Sequence, residues 1–211
     1  CMANFTSARL NEATIRVLQR NGCEVVVPES QTCCGALHVH SGWKEKARAL
    51  ARQNVDAFLD DSIDAVITNA AGCGSTLKEY HELLEHDAAY AAKSRAFVAK
   101  VRDITEFLGE IGLRPGMGEL AVTITYQDSC HLAHGQKIRQ APRDLLKSIP
   151  GVTYRELPLA DLCCGSAGIY NIVHDEIADS LLRKKMDLVN ATGATTVTTA
   201  NVGCAIQLKA G

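Results

Sequence analysis

Apolar positions recur at helical spacing near the start of the chain. Leu10, Thr14, Val17 and Leu18 share one face from Ala8 to Arg20, and Asn21-Gly22 then closes the run as helix ends commonly do. Glu24 to Val27 is a β-branched run stopped by Pro28 and predicts a strand. Trp43 to Asp60 returns to the 3.6-residue period, with Ala47, Leu50, Ala51, Val55 and Phe58 on its apolar face. Ala65 to Thr68 predicts a short buried strand, and helices are predicted over Ser75 to His86, Ala88 to Val98 and Ile104 to Ile111. Arg114-Pro115-Gly116-Met117-Gly118 breaks every period and reads as a joint. Beyond it the pattern predicts a strand from Ala121 to Tyr126 and a helix from Leu132 to Lys147, interrupted near Pro142. A strand from Val152 to Arg155, a long helix from Ile172 to Val189 and a strand from Thr195 to Thr199 follow.

Strands alternating with helices of these lengths imply parallel sheets covered by helices, whose sites collect beyond the carboxyl ends of the strands. The expected fold class is α/β, with two pseudo-repeated Rossmann-like halves, residues 1–115 and 116–211. The second half has a strand directly before Cys130, whereas nothing precedes Cys1, so the first half is expected to lack its N-terminal strand and the chain to be a piece of a longer polypeptide.

The repeat is written most clearly in the thiols. Cys1, the pair Cys33-Cys34 and Cys73 in one half are matched by Cys130, Cys163-Cys164 and Cys204 in the other. The intervals are 31 and 32 residues before the pair, and 38 and 39 after it. Gly follows both pairs, and Gly72-Cys73…Leu77-Lys78 recurs as Gly203-Cys204…Leu208-Lys209. Cys23, the ninth cysteine, has no counterpart and is expected to be a buried apolar filler.

The bulk composition narrows the function classes. Hydrophobic residues make up 46% and charged residues 22% of the 211, as in ordinary globular proteins. A formal net charge of -2 argues against a nucleic-acid partner, and no apolar stretch reaches the ~18 residues of a membrane span. Nine cysteines without a recognisable leader favour a reducing compartment in which thiols stay free for metal or redox work.

Soft thiolates select zinc, copper(I) or iron–sulfur clusters. Structural zinc takes its cysteines in close Cys-x2-4-Cys pairs, which neither half contains. Adjacent cysteines followed by Gly would put two thiols on an elbow whose backbone can pass close to a bulky inorganic core. Four thiols per half suit a four-iron cluster; zinc, and thiols without metal, are the alternatives. His38, His40, His131 and His134 stand near the pairs as candidate ligands or as donors tuning a site from behind. Asp128 is placed to cap a helix starting at His131. A cysteine nucleophile beside His38 or His131 would leave the duplication without purpose. No G-x-G-x-x-G follows a strand, which argues against a dinucleotide site.

Longer motifs carry a family resemblance. These are Gln31-Thr32-Cys33-Cys34-Gly35-Ala36-Leu37-His38, Asn69-Ala70-Ala71-Gly72-Cys73-Gly74, Tyr126-Gln127-Asp128-Ser129-Cys130-His131 and Leu162-Cys163-Cys164-Gly165-Ser166-Ala167-Gly168. The pattern resembles the duplicated cysteine-rich CCG domain of heterodisulfide reductases, lactate-utilisation iron–sulfur proteins and the anaerobic glycerol-3-phosphate dehydrogenase small subunit. It resembles in particular the iron–sulfur subunits of bacterial glycolate oxidases. That resemblance implies an electron-transfer subunit carrying 4Fe–4S clusters, one per half, with Cys1, Cys33, Cys34, Cys73, Cys130, Cys163, Cys164 and Cys204 as ligands and zinc as an alternative in one site. It also implies flavoprotein partner subunits that oxidise glycolate or another 2-hydroxy acid, a quinone acceptor, and a cytoplasmic location peripheral to the inner face of the membrane. The fragment alone is expected to be inactive. In the heterodisulfide reductase version each repeat ends in Cys-x-x-Cys; here Ala70 and Asn201 replace the earlier thiol. That substitution weakens the alternative of a catalytic disulfide- or quinone-reducing site, and a zinc-stapled docking domain is the other alternative.

Overall fold

The computed structural model describes residues 2–211; Cys1 lies outside them. They divide into two compact units, one ending at Phe107 and the other beginning at Leu108.

The first unit opens with α1 (Met2–Arg20), which continues through a non-helical Ser7 and so starts well before the predicted Ala8. α2 (Ala36–His40) and α3 (Lys44–Phe58) follow, then β1 (Val66–Thr68), α4 (Ala71–Lys78), α5 (Tyr80–Leu83), α6 (Ala91–Lys100) and β2 (Val101–Asp103). α7 (Ile104–Ile111) carries the division between the units. α3 buries Ala47, Leu50, Ala51, Asn54 and Val55, the i, i+3, i+4, i+7, i+8 stripe of a core-facing helix. Ala51 and Val55 pack with Val66, Tyr80, Leu84, Phe97 and Val101, where the Tyr80 and Phe97 rings stack with centroids 5.5 Å apart. β1 and β2 pair in parallel, Val66 opposite Val101 and Thr68 opposite Asp103.

Two expectations fail in this unit. Glu24–Val27 is not a strand, and Val26 and Val27 are 64% and 56% exposed. In the second unit the corresponding run pairs only with the central strand, and the first unit has no counterpart of that strand among the described residues. β-branched propensity without a neighbouring strand leaves the chain extended but unpaired. Cys23 is only half-buried, because the run it opens is not enclosed.

The second unit has a three-stranded parallel sheet in the order β4-β3-β5, formed by β3 (Val122–Gln127), β4 (Val152–Arg155) and β5 (Thr196–Thr199). Ile124 sits opposite both Tyr154 and Thr196. A single π-helical turn (His131–Gly135) and α8 (Gln140–Ser148) lie between β3 and β4. The predicted break in that helix falls at 136–139 rather than at Pro142. Pro142 is the third residue of α8, where a missing N–H costs no hydrogen bond. α9 (Tyr170–Val173), α10 (Asp175–Ala191) and α11 (Val202–Ala210) complete the unit. α10 buries Ala178, Leu182, Lys185 and Val189. No helix among the described residues is long and apolar enough to cross a membrane.

Candidate functional site

In both units the thiols gather at the carboxyl ends of the parallel strands. Cys73 and Cys204 occupy the same place, the third residue of the helix that follows β1 or β5. A thiol there lies in the positive field of the helix start, which favours thiolate; at Cys73 the hydrogen bond with Cys34 and burial outweigh it. The residues capping these helices are Ala70 and Asn201, both extended, and the Asn201 amide donates to Cys204 Sγ at 3.6 Å. Cys130 sits at the start of the π-helical turn, directly after β3 and the buried Asp128 and Ser129.

The vicinal pairs sit on elbows closed by Gly35 (φ 81°) and Gly165 (φ 92°). The structure also gives these glycines a local reason. A Cβ on Gly165 would fall 2.5 Å from the Ala178 carbonyl oxygen, and one on Gly35 3.4 Å from Ala47 Cα. Glycine thus meets the positive φ and the approach of the elbow to its long helix. Both elbows turn their backbone N–H onto the first thiol of the pair, Gly35 N to Cys33 Sγ at 3.5 Å and Gly165 N to Cys163 Sγ at 3.3 Å.

The thiols act on one another. In the first unit, hydrogen bonds from Cys33 and Cys73 favour thiolate at Cys34, whose pKa falls to about 3, while Cys33 and Cys73 are pushed up. In the second, hydrogen bonds from Cys130 and Cys164 draw Cys163 down to about 2, the bond from Cys164 lowers Cys204, and Cys130 and Cys164 rise. The structure thus brings Cys33, Cys34 and Cys73 together in one unit and Cys130, Cys163, Cys164 and Cys204 in the other. Cys1 lies outside the described residues. No three His, Cys, Asp or Glu side chains among the described residues are arranged to hold a single metal ion. Of the candidate histidines, His134 is 3.2 Å from the Arg139 guanidinium and 3.8 Å from Asp161.

Groups that sequence reading missed fix the elbows. In the first unit Asn54 accepts from Thr32 N (2.9 Å) and donates to Cys33 O (3.1 Å) and Tyr80 Oη (3.0 Å). Tyr80 in turn donates to Cys34 O at 2.8 Å. In the second unit Lys185 Nζ donates to Leu159 O (2.9 Å) and Ala160 O (3.0 Å) on the approach to the pair. The readable signal was a polar residue inside the apolar stripe of a long helix. Asp128 does not cap the turn at His131. It receives two bonds from Arg143, at 2.9 and 2.8 Å, which also binds Glu156.

Several features fit an iron–sulfur group at these places. The donors are soft thiols with N–H groups aimed at sulfur, the usual surroundings of cluster ligands. Two buried polar atoms close to them in sequence, His38 Nδ1 and Ser129 Oγ, have no hydrogen-bond partner, which costs about 1–3 kcal/mol each unless something else meets them.

Comparison with known proteins identifies the class. The cysteine-rich CCG domain profile matches residues 1–78 and 124–209, and the chain belongs to that family. More particularly, it is related to iron–sulfur subunits of glycolate oxidases. It is 46% identical to the probable glycolate oxidase iron–sulfur subunit of Bacillus subtilis (strain 168), over 100% of this chain and 48% of that protein. It is 34% identical to the glycolate oxidase iron–sulfur subunit of Escherichia coli (strain K12), over 99% of this chain and 52% of that one. Lactate utilization protein A of Bacillus cytotoxicus matches at 29% identity, over 99% of this chain and 87% of its own length. The chain spans about half the length of the two glycolate oxidase subunits.

Proposed function

We propose that this chain is the part of an electron-transfer subunit that carries two 4Fe–4S clusters, one in each of the domains 1–115 and 116–211. The ligands would be Cys1, Cys33, Cys34 and Cys73 for the first, and Cys130, Cys163, Cys164 and Cys204 for the second. The observation that carries the reading is the gathering of four thiols in the second unit, with Gly165 N and the Asn201 amide directed at sulfur. Bound there, an iron–sulfur cluster would accept and release single electrons.

The chain's own residues supply the rest. Burial of Cys34, Cys164 and Cys204 keeps water from the inner sulfurs. N–H donors at Gly35 and Gly165 draw charge off Cys33 and Cys163, which favours the reduced state. Asn54, Tyr80 and Lys185 hold the elbow backbones, so that electron gain and loss need little rearrangement. Relatives named as glycolate oxidase iron–sulfur subunits support flavoprotein partners that oxidise a 2-hydroxy acid and a quinone as onward acceptor, in the cytoplasm at the membrane's inner face. Ala70 and Asn201, standing where a fifth thiol would be, favour electron transfer over a catalytic disulfide site.

Anaerobic reconstitution followed by iron, sulfide and zinc analysis and EPR of the reduced protein tests the reading. About four irons and four sulfides per unit are expected, with Cys164→Ser removing one set. Stoichiometric zinc without sulfide, or metal content unchanged in Cys164→Ser, refutes it.

A further inference from the structure

The two elbows are built alike, and one contact aligns their supporting helices. Gly35 faces Ala47 on α3 as Gly165 faces Ala178 on α10. Two turns further along each helix, on the same buried stripe, α3 carries Asn54 and α10 carries Lys185. Both side chains are withdrawn from solvent, at 2% and 0% exposure, and both donate to backbone carbonyls at or before the vicinal pair. They do the same positional work, but one is neutral and the other is a cation.

Burial lowers the Lys185 pKa from its ordinary value, while the field of Cys164, Asp161, Cys130 and Asp128 favours the charged form. Lys185 makes no ion pair among the described residues. The carboxylates that act on it, Asp161 and Asp128, are engaged elsewhere, by Arg139 at 3.3 Å and by the Arg143 fork. Glu156, the other carboxylate on Arg143, is half exposed and screened by water. The ammonium acts electrostatically on Cys163 and Cys204, and Cys164 and Cys130 act on it. In the first unit the groups holding the elbow, Asn54 and the Tyr80 hydroxyl, are neutral, and Lys78, the last residue of α4, is paired with Glu106 at 2.8 Å.

We propose that Lys185 is a positioning residue that makes the two sites electrically unequal, so that the second unit is the one more easily reduced. Adding an electron makes a cluster more negative, and a fixed buried cation stabilises that state more than the oxidised one; cluster potentials respond to local charge in this way. Asn54 offers the first site no such help. At equilibrium a single electron therefore resides in the second unit. This inference rests on the two-cluster reading above.

The test is an EPR-monitored redox titration of reconstituted protein, with iron content measured on the same samples. Wild type should show two midpoints, and Cys164→Ser, which removes the second-unit site, should leave only the lower. Lys185→Gln keeps a donor for the carbonyls and removes the charge, and should move the higher midpoint down towards the lower at unchanged iron content. Lys185→Arg should restore it. Unmoved midpoints in fully loaded Lys185→Gln overturn the inference, as does survival of the higher midpoint in Cys164→Ser. Loss of the second-unit cluster in Lys185→Gln and Lys185→Arg alike would also overturn it, by showing that the side chain serves assembly. Wild type that binds no iron in either unit overturns the two-cluster reading and this inference with it.

Discussion

Replacing the glycine after each vicinal pair by alanine should damage the two units unequally. Both glycines lie at positive φ, 81° at Gly35 and 92° at Gly165, and a left-handed alanine costs about 1–2 kcal/mol. The difference is in the space available. At Gly35 the new methyl meets Ala47 Cα at 3.4 Å, an ordinary contact. At Gly165 it meets the Ala178 carbonyl oxygen at 2.5 Å, and that atom belongs to the backbone of α10 and cannot turn aside. Displacing the helix or the elbow adds an overpacking cost of about 1–3 kcal/mol. Gly35→Ala should therefore cost about 1–2 kcal/mol and Gly165→Ala about 2–5 kcal/mol. The two costs can be read separately by pulsed alkylation of the metal-free protein across a urea series, with mass spectrometry assigning each peptide. With a urea slope of about 1–3 kcal/mol/M, exposure of Cys163, Cys164 and Cys204 in Gly165→Ala should shift about 1–2 M lower. Exposure of Cys33, Cys34 and Cys73 in Gly35→Ala should shift by less. Equal shifts, or a larger one for Gly35→Ala, would refute the argument that backbone contact at α10 fixes glycine there.

Two other substitutions follow from the same structure. Arg143→Ala strands the Asp128 carboxylate, whose side chain is 4% exposed, and should destabilise the second unit by about 3–5 kcal/mol in urea unfolding; a loss below about 1 kcal/mol would show the pair to be dispensable. Burial raises the Asp103 carboxyl above its ordinary value, so the folded chain holds that proton more tightly than the unfolded chain. The stability it contributes is full below about pH 4 and is lost as pH rises through the raised value. Asn keeps the oxygen that accepts from Thr105 N (2.8 Å) and Thr105 Oγ1 (2.6 Å) but has no charge to bury. Asp103→Asn should therefore gain on wild type between pH 4 and pH 7 in thermal melts, and a pH-independent difference would contradict this.

Much of the architecture was legible because it is written in periodicity. Ile104–Ile111 and Val152–Arg155 occur with the predicted bounds, and the thiol spacing announced the duplication and the strand ends where it converges. What escaped was of two kinds. Val101–Asp103 is three residues wedged between helices, too short to show a two-residue period, and exists as a strand because β1 lies beside it. Glu24–Val27 is the converse, a run with strand propensity that has no neighbour to pair with among the described residues. Within the site, cysteines were visible by identity, whereas Asn54, Tyr80 and Lys185 act through backbone carbonyls. Their targets are set by tertiary packing, and only the polarity of Asn54 and Lys185 inside apolar stripes hinted at a role. Asp128 was misread because the guanidinium that claims it arrives from α8, beyond the reach of any local capping rule.

The unpaired run before the first cysteine elbow also bears on solubility. Unpaired β-prone runs are where chains stitch together into aggregates, and Val26 and Val27 present exposed β-branched side chains in such a run. The run carries its own gatekeepers. Glu24 places a charge at one end, and Pro28 at the other removes the N–H that a fifth residue would need to extend a ladder. A segment so short and so terminated makes a poor template for fibre growth, and this lets a β-prone stretch stay open to solvent a few residues before the first cysteine pair.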